Sequence, residues 1–286
     1  MADILKKIIE YLKNDKLFEA FDLCENNKDN KIEHLILNIK GVIFFKQQKF
    51  VQAKKEFLKS IELDKSFIDP YKNLFKLNLK TQDYDSAIKN GISANLAGGT
   101  HHAHYDYGSG YCIFNDIAIA ANYCKNKYEE YQNILVLDLD VHQGDGSATM
   151  LKDVESVFTF SIHCGGNFPL KKQKSDLDVE LEKGTGDEEY IEILQKNLNE
   201  LKSIQFDIVF FQAGVDSLKF DSLGHLELTQ DGMKKRNEIV LDFCAAQNLP
   251  LLIFMGGGYS NPIDHTVEAF HNLFVQCTKT IGTIKS

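Results

Sequence analysis

The stretch ILVLDLDVHQGDG, residues 134–146, ends an apolar run with four ionisable side chains: Asp138, Asp140, His142 and Asp145. The run itself, from 134 to 137, contains only branched aliphatic residues, which is typical of a strand buried on both faces of a parallel sheet. Three carboxylates and an imidazole at the end of such a strand are costly to desolvate unless a cation or another partner neutralises them. The stretch therefore predicts a site where these side chains are neutralised by a bound cation or by another charged partner.

Asp140, His142 and Asp216 form a metal-ligand set that needs no cysteine. Residues two apart in an extended segment project to the same side, so Asp140 and His142 can face one edge of the sheet, and Asp216 follows another apolar run. Two carboxylates and one imidazole leave a coordination position for water or substrate, which is typical of a catalytic zinc site. Taken singly, either aspartate could be a cap and His142 a hydrogen-bonded core imidazole.

His101 and His102 follow the segment LAGGT, whose glycines let the backbone pass close to a ligand. Near a metal, one imidazole can take a proton from bound water while the other stays charged, provided that carboxylates fix their tautomers. Asp138 and Asp145 are the candidates for those carboxylates. Tyr259 follows three glycines and can donate a hydrogen bond to a developing oxyanion; the alternative is an ordinary turn tyrosine.

Five short apolar strands alternate with amphipathic helices from about residue 91 onward: ISANL, ILVLDLD, VFTFSIH, IVFFQAG and LLIFMGG. This alternation predicts a parallel α/β sheet covered by helices. Polar segments follow every predicted strand, and they include AGGTHH, SIHCGGNF, AGVDS and GGGYS. Because open sheets of this kind bind ligands at the carboxyl ends of their strands, we expect these segments to converge on one site.

Residues 1–90 show helical apolar spacing throughout. The segment KQQKFVQAKKEF returns as KTQDYDSAIKNG 34 residues later, which aligns Phe50 with Tyr84 and Ala53 with Ala87. A period near 34 indicates stacked helix pairs, and the pattern resembles tetratricopeptide repeats, which implies a protein partner bound through them. The alternative is an unrelated amphipathic helical bundle.

The composition is that of a globular chain, with 286 residues, 43% of them hydrophobic and 26% charged. No apolar run approaches the about 20 residues of a membrane span, and the first residues, MADILKKIIEYLKNDK, lack a signal-peptide core. We therefore expect a cytoplasmic protein with no membrane partner. The six cysteines show no CxxC pair and are expected to be reduced core thiols. A net charge of -9 without a basic tract argues against nucleic acid as a direct partner.

Five motifs then carry a family resemblance: NLAGGTHHAHYDYGSGYCIFNDIA, LDLDVHQGDG, FTFSIHCGGNFP, QAGVDSLKFDSLGHLELT and MGGGYS. Together, over residues of about 91–269, they resemble the histone deacetylase family, which includes acetoin utilisation proteins and acetylpolyamine amidohydrolases. The resemblance implies an arginase/deacetylase fold and a zinc-dependent amide hydrolase acting on acetylated lysine or polyamine. It also implies roles for the residues named above: zinc ligands Asp140, His142 and Asp216; acid/base pair His101 and His102; their carboxylate partners Asp138 and Asp145; and a carbonyl-polarising phenol, Tyr259.

The same resemblance implies a substrate channel and a second ion. Tyr111 and Phe168 are similar to the aromatic walls that hold an acyl-lysine stem. The glycines expected beside that channel are Gly110, Gly257 and Gly258. A structural potassium ion is expected near Asp138, Ser161 and Ile162.

The family's usual block before the GGTHH motif is not found in residues 1–90. The expected architecture is therefore an all-α repeat domain, residues 1–90, followed by a deacetylase-like domain, residues 91–286, whose parallel sheet is truncated at its N-terminal side. A gene fusion and a lost gene start both remain open as the origin of this arrangement.

Two functions follow from this arrangement. The first is an active zinc deacetylase with an appended partner-binding module, which the retained ligands, histidine pair and tyrosine favour. The second is a non-catalytic interaction protein carrying a truncated deacetylase-like scaffold, which the missing block favours. An arginase-like binuclear manganese hydrolase is a poorer alternative, because its additional aspartate ligands are not apparent.

Overall fold

The computed structural model describes residues 2–27, 29–64, 67, 69, 70, 73, 74, 77 and 91–280. The chain forms two compact units, Met1–Ala87 and Ile88–Ser286. The domain boundary predicted after residue 90 falls in a stretch outside the described residues, and it stays a prediction.

The described part of the first unit is helical. Its α-helices are α1 (Ala2–Lys13), α2 (Leu17–Glu25), α3 (Glu33–Lys46) and α4 (Phe50–Leu63), and a short 3-10 turn, Asn30–Ile32, precedes α3. Helices α3 and α4 approach closely because Gly41 has no side chain, and a Cβ there would overlap the ring of Phe57. Ala53 is fully buried at the same contact. The second predicted repeat motif, with Tyr84 and Ala87, lies outside the described residues, so the tetratricopeptide character stays a prediction.

The second unit is built on a parallel sheet, as the sequence predicts. Its strands are β1 (Ile92–Asn95), β2 (Ile134–Asp138), β3 (Val157–Cys164), β4 (Leu177–Leu181), β5 (Ile208–Gln212) and β6 (Leu251–Phe254). They lie in the order β1-β6-β5-β2-β3-β4, and every pairing is parallel. All five predicted strands are present. The additional strand, β4, lies at the edge of the sheet, pairs with β3 alone and is only partly buried along most of its length.

Helices cover both faces of this sheet. They are α5 (Asp116–Lys127), α6 (Asp145–Leu151), α7 (Asp187–Leu201), α8 (Gln230–Gln247) and α9 (Asp264–Thr280). On one face, Leu135 and Leu137 of β2 pack with residues from α7, α8 and α9, and on the other face Ile134 and Val136 pack with residues from α5 and α6. The apolar run at 134–137 is therefore buried on both sides, as predicted.

Side-chain caps fix where two of these helices begin. The side chain of Asn115 accepts a hydrogen bond from the Ala118 amide at the start of α5, and Thr229 accepts one from Gly232 at the start of α8. All six cysteines are free thiols in buried positions. None of the helices in the described part of the chain combines the length and apolar character that a membrane span needs.

Candidate active site

Three neighbouring strands end level with one another and bring their following residues together. Asp138 at the end of β2 is in register with Gln212 at the end of β5, and Gln212 is in register with Phe254 at the end of β6. Because the strands are parallel, the segments that leave them share one edge of the sheet. The predicted ligands Asp140 and Asp216 lie in those segments, a few residues past the register line.

The structure brings Asp140, His142 and Asp216 together, with one ligand atom of each within 4.8 Å of the others. His142 Nδ1 lies 3.1 Å from Asp140 Oδ1 and 3.1 Å from Asp216 Oδ2. Both carboxylates are fully buried and the imidazole is largely so. Among the described residues this is the one group of acidic, histidine or cysteine side chains with metal-binding spacing.

Backbone amides hold the two carboxylates in place. The Val141 amide donates to Asp216 Oδ1 at 3.0 Å, and the Gly257 amide donates to Asp140 Oδ2 at 3.0 Å. Gly257 has to lack a side chain here, because a Cβ would overlap Asp216 Oδ2. A Cβ at Gly214 would likewise overlap Asp140 Oδ2. Of the glycines predicted in the substrate channel, Gly257 thus lies against the carboxylates, while Gly258 packs beside Val215 and Thr266.

The electrostatics of this cluster fit a divalent cation. Burial and the neighbouring charge of Asp140 raise the pKa of Asp216 to about 7. Burial would also raise the pKa of Asp140, but the charges of His101 and His142 outweigh it, so that pKa falls below its ordinary value. Two carboxylates and an imidazole are a donor set that zinc accepts, and a bound cation would relieve the repulsion between Asp140 and Asp216.

The predicted histidine pair lies beside this cluster, and each imidazole is held by one of the two candidate carboxylates. His101 Nδ1 lies 2.7 Å from Asp138 Oδ2, and His102 Nδ1 lies 2.7 Å from Asp145 Oδ1. All four side chains are nearly fully buried. The ring centroids of the two histidines are 4.1 Å apart, and His101 Nε2 is 3.8 Å from Asp140 Oδ1.

The two imidazoles differ in basicity although they are sequence neighbours. Burial lowers the pKa of both. For His101 the charges of Asp138 and Asp140 outweigh burial and raise the pKa to about 9. For His102 burial acts together with the charge of His101, and the pKa falls to about 4 despite the bond to Asp145. At neutral pH one imidazole is therefore charged and the other is a free base.

Aromatic side chains line the exposed side of the site. The Phe168 ring stands edge-on to the His102 ring with centroids 5.0 Å apart, and the Tyr111 and Tyr259 rings are 6.4 Å apart. Gly110, with φ of +50°, approaches the His102 ring so closely that a Cβ would overlap it. Burial, with the charges of Asp140 and Asp216, raises the pKa of Tyr259 to about 12, so its hydroxyl keeps its proton at neutral pH.

The residues expected near a potassium ion are also neighbours. Asp138 on β2 is the register partner of Ser161 on β3, and Ile162 follows it. Asp138 Oδ1 accepts a hydrogen bond from the Asp140 amide at 3.1 Å. The potassium ion itself stays a prediction.

One half-buried residue of the site, His104, is missed by the reasoning from sequence. Its Nε2 lies 3.2 Å from Asp145 Oδ2 and its Nδ1 lies 2.8 Å from Thr149 Oγ1, while its ring stacks on Tyr107. Asp145 thus bonds His102 and His104 at once. Burial would raise its pKa, but these bonds lower it. The signal was available, because His104 follows His102 at the two-residue spacing that singled out Asp140 and His142.

Asn167 and Arg236 are the other two residues that the sequence reasoning misses. The Asn167 amide donates to the Leu223 carbonyl at 2.6 Å, accepts from the His225 amide at 3.0 Å and lies 3.4 Å from His142 Nε2.

Arg236 is fully buried on α8. It is the only arginine among the 32 lysines and arginines of the chain, a compositional signal that could have singled it out.

Comparison with known proteins gives a family match and several relatives. The model of the histone deacetylase domain matches residues 49–274. An uncharacterized protein of Picosynechococcus sp. is 44% identical over 196 residues, which cover 68% of this chain and 65% of the relative. Histone deacetylase 2 of Arabidopsis thaliana is 26% identical over 261 residues, 88% of this chain and 67% of the relative.

Histone deacetylase 1 of Homo sapiens is 34% identical over 181 residues, which cover 59% of this chain and 36% of the relative. The chain thus spans between about a third and two thirds of the length of these curated relatives. The domain match begins within the helices of the first unit, well before the motifs from residue 95 onward that carry the resemblance in sequence.

Proposed function

The chain belongs to the histone deacetylase family, and from that membership we propose that it is a zinc-dependent hydrolase of acetyl amides, of the acetyl-lysine or acetylpolyamine type. The observation that carries the proposal is the convergence of Asp140, His142 and Asp216 beside two imidazoles, each held by a buried carboxylate. A chain with only a scaffolding role has no use for such a cluster, whose burial costs free energy unless a cation is bound.

Zinc would be held by Asp140, His142 and Asp216, and when bound it would polarise the substrate carbonyl and make a bound water more acidic. The remaining steps belong to the side chains around it. His102 is the candidate general base, because its pKa of about 4 leaves Nε2 unprotonated at neutral pH. Asp145 holds the other nitrogen and fixes the tautomer.

His101 supplies positive charge to the same site, because its pKa of about 9 keeps it protonated at neutral pH. Tyr259 keeps its hydroxyl proton and is the candidate hydrogen-bond donor to the amide oxygen as negative charge develops there. In the overall reaction the carbon–nitrogen bond breaks and water supplies the new oxygen. The proton taken by His102 passes to the leaving nitrogen, so the products are acetate and a free amine.

The aromatic residues at the exposed side are the candidate walls for the substrate stem. Tyr111 and Phe168 flank the histidine pair and present apolar rings to solvent, with 87% and 41% of each residue exposed. Gly110 lets the backbone before Tyr111 pack directly against the His102 ring. The narrow aliphatic stem of an acetylated lysine or polyamine is proposed to lie between the aromatic rings. A protein partner bound through the helices of the first unit and a cytoplasmic location are further parts of the proposal.

The test is hydrolysis by the purified full chain loaded with zinc. We expect release of acetate from an acetyl-lysine peptide or an acetylpolyamine, and loss of that activity in a chelator-treated sample that recovers on adding zinc. The ratio of the two rates assigns the substrate class. Zinc bound without turnover of either substrate would contradict the enzyme proposal and favour the interaction protein.

A further inference from the structure

The guanidinium of Arg236 lies inside the second unit and uses every donor it has. Nη1 donates to the Gly214 carbonyl at 2.6 Å and to the Leu139 carbonyl at 3.3 Å. Nη2 donates to the Ala213 carbonyl at 3.2 Å and to Asn237 Oδ1 at 2.9 Å, and Nε donates to Asn237 Oδ1 at 3.1 Å. All five N–H groups therefore have an acceptor.

The three carbonyls belong to the two segments that carry the carboxylate ligands. The Leu139 carbonyl is part of the peptide bond to Asp140. Ala213 and Gly214 occupy the short stretch between the end of β5 and Asp216. A single planar group thus bonds both segments at once, and it fixes the separation of their backbones just before the two ligands.

The composition of the chain shows that this position is special. The other 31 cationic residues of the lysine and arginine class are all lysines. A lysine has three donors on one nitrogen and loses its proton readily when buried, whereas a guanidinium keeps its charge and spreads five donors over a rigid plane. In a chain that otherwise uses lysine, the single arginine occurs where three backbone carbonyls have to be bonded from one fixed plane.

The surroundings of Arg236 are consistent with a buried, permanently charged group. Burial lowers its pKa, and the charges of Asp216 and Asp140 are among those that oppose the shift. The guanidinium carbon lies 5.5 Å from the centre of the Phe211 ring, on the strand that leads to Ala213. Its acceptors are three backbone carbonyls and the side-chain amide oxygen of Asn237, so three of its five hydrogen bonds act directly on backbone position.

We propose that Arg236 is a positioning residue for the metal centre, which sets the distance between the Asp140 and Asp216 segments and thereby the zinc affinity. This inference rests on the zinc site of the proposed function. It assigns no contact between Arg236 and the substrate or the metal. Its consequence is that zinc binding depends on a side chain of α8, the helix that packs behind the sheet.

The experiment compares zinc affinity of full-length wild type, Arg236→Lys and Leu241→Ala by competition with a chromophoric chelator, with thermal unfolding of each metal-free protein. Arg236→Lys keeps a cation but loses the planar set of donors, so we expect zinc affinity to fall about 10- to 100-fold, the range for residues that orient metal ligands. Leu241 is buried on the same helix and its side chain has no polar group. Leu241→Ala should lower the unfolding temperature and retain the wild-type zinc affinity.

The absorption spectrum of the cobalt-substituted proteins gives a second readout, because it reports the geometry of the ligands. We expect a changed spectrum for Arg236→Lys and an unchanged one for Leu241→Ala. Wild-type zinc affinity and spectrum in folded Arg236→Lys would overturn the positioning role and leave the proposed zinc site intact. No zinc binding by the wild-type chain would overturn both.

If Arg236→Lys does not fold, the zinc affinity of Asn237→Ala is measured instead. This variant removes the acceptor of two guanidinium N–H groups and leaves the three carbonyl contacts in place. A guanidinium that is free to tilt should hold the two segments less well, so we expect zinc affinity to fall by about threefold to tenfold, less than for Arg236→Lys. An affinity equal to that of the wild type in Asn237→Ala would overturn the proposal.

Discussion

The floor and the rim of the candidate site are built in opposite ways. At the floor, the carboxylates and imidazoles of Asp138, Asp140, His101 and His102 are buried and hydrogen-bonded. At the rim, Tyr111 is 87% exposed and Phe168 is 41% exposed. The comparison indicates that the groups proposed for chemistry are fixed by burial and hydrogen bonds, while those proposed for substrate contact are free to adapt.

The largest effect is expected on zinc binding when one of the proposed zinc ligands at the floor is removed. We expect about one zinc per wild-type chain, and Asp216→Ala should retain far less than one, because a single imidazole and one carboxylate hold zinc poorly. Metal analysis after gel filtration measures this. Asp207→Ala is the matched control: Asp207 accepts hydrogen bonds from the Gln132 and Asn133 amides and lies outside the ligand cluster. Full zinc retention in Asp216→Ala would show that Asp216 is not a ligand.

Tyr259 lies between the floor and the rim of the site. Removing its hydroxyl tests whether that group takes part in catalysis. Tyr259→Phe should lower kcat for acetyl-lysine hydrolysis by about 10²-fold or more while leaving zinc in place, because one oxyanion donor is typically worth that much. Steady-state kinetics measures kcat, and metal analysis of the same sample measures its zinc content, so a loss of catalysis is distinguished from a loss of zinc. Tyr131→Phe, at a partly buried tyrosine packed against the core on the α5 side, should leave both kcat and zinc content unchanged. Equal turnover in Tyr259→Phe and wild type would make Tyr259 a turn residue only.

The charge of the floor should appear in the pH dependence of stability. In the metal-free protein the pKa of His101 is raised to about 9 from 6.5. The protonated His101 therefore contributes to the free energy of unfolding in full below pH 6.5. This contribution, about 3 kcal/mol, is lost as pH rises through 9. Chemical unfolding of the metal-free wild type and His101→Gln at pH 6 and pH 9.5 measures it. The variant should lose less stability over that interval, and equal losses would contradict the raised pKa.

The smallest effect is expected at the rim. Phe168→Ala should raise KM for an acetyl-lysine peptide by about threefold to tenfold with little change in kcat, since it removes apolar contact with the substrate stem. Steady-state kinetics measures both constants, with Leu170→Ala, which is 96% exposed, as the control. A large fall in kcat at constant KM would place Phe168 with the floor instead, through its contact with His102.

The convergence of the site could be predicted from the sequence because two local rules determine it. Alternation in an extended segment pairs Asp140 with His142, and the parallel sheet brings the end of β5 beside the end of β2. Asp138 and Asp145 are candidate partners of the histidine pair from the same reasoning with the family resemblance, and the structure places one of these carboxylates on each imidazole.

The remaining features depend on long-range contacts that no local pattern encodes. Arg236 bonds carbonyls 22, 23 and 97 residues away, and any residue type at those positions offers a carbonyl. Strand β4 lies at the edge of the sheet and carries Asp178 and Glu180, so it lacks the continuous apolar run that identifies β2 and β5. The opposite pKa shifts of His101 and His102 arise from burial, from the carboxylates near His101 and from the charge of His101 acting on His102, which sequence order alone does not give.

The level ends of β2, β5 and β6 also restrict how this protein can change during evolution. A one-residue insertion within β5 would move Asp216 by about 3.3 Å along the strand or turn its neighbours to the opposite face of the sheet. Either change separates it from Asp140. The segment from 105 to 114 carries exposed side chains such as Tyr105 and Ile113 and is not a strand of the sheet. Length variation among relatives should therefore accumulate at the rim, where new substrates could be selected without rebuilding the candidate metal site.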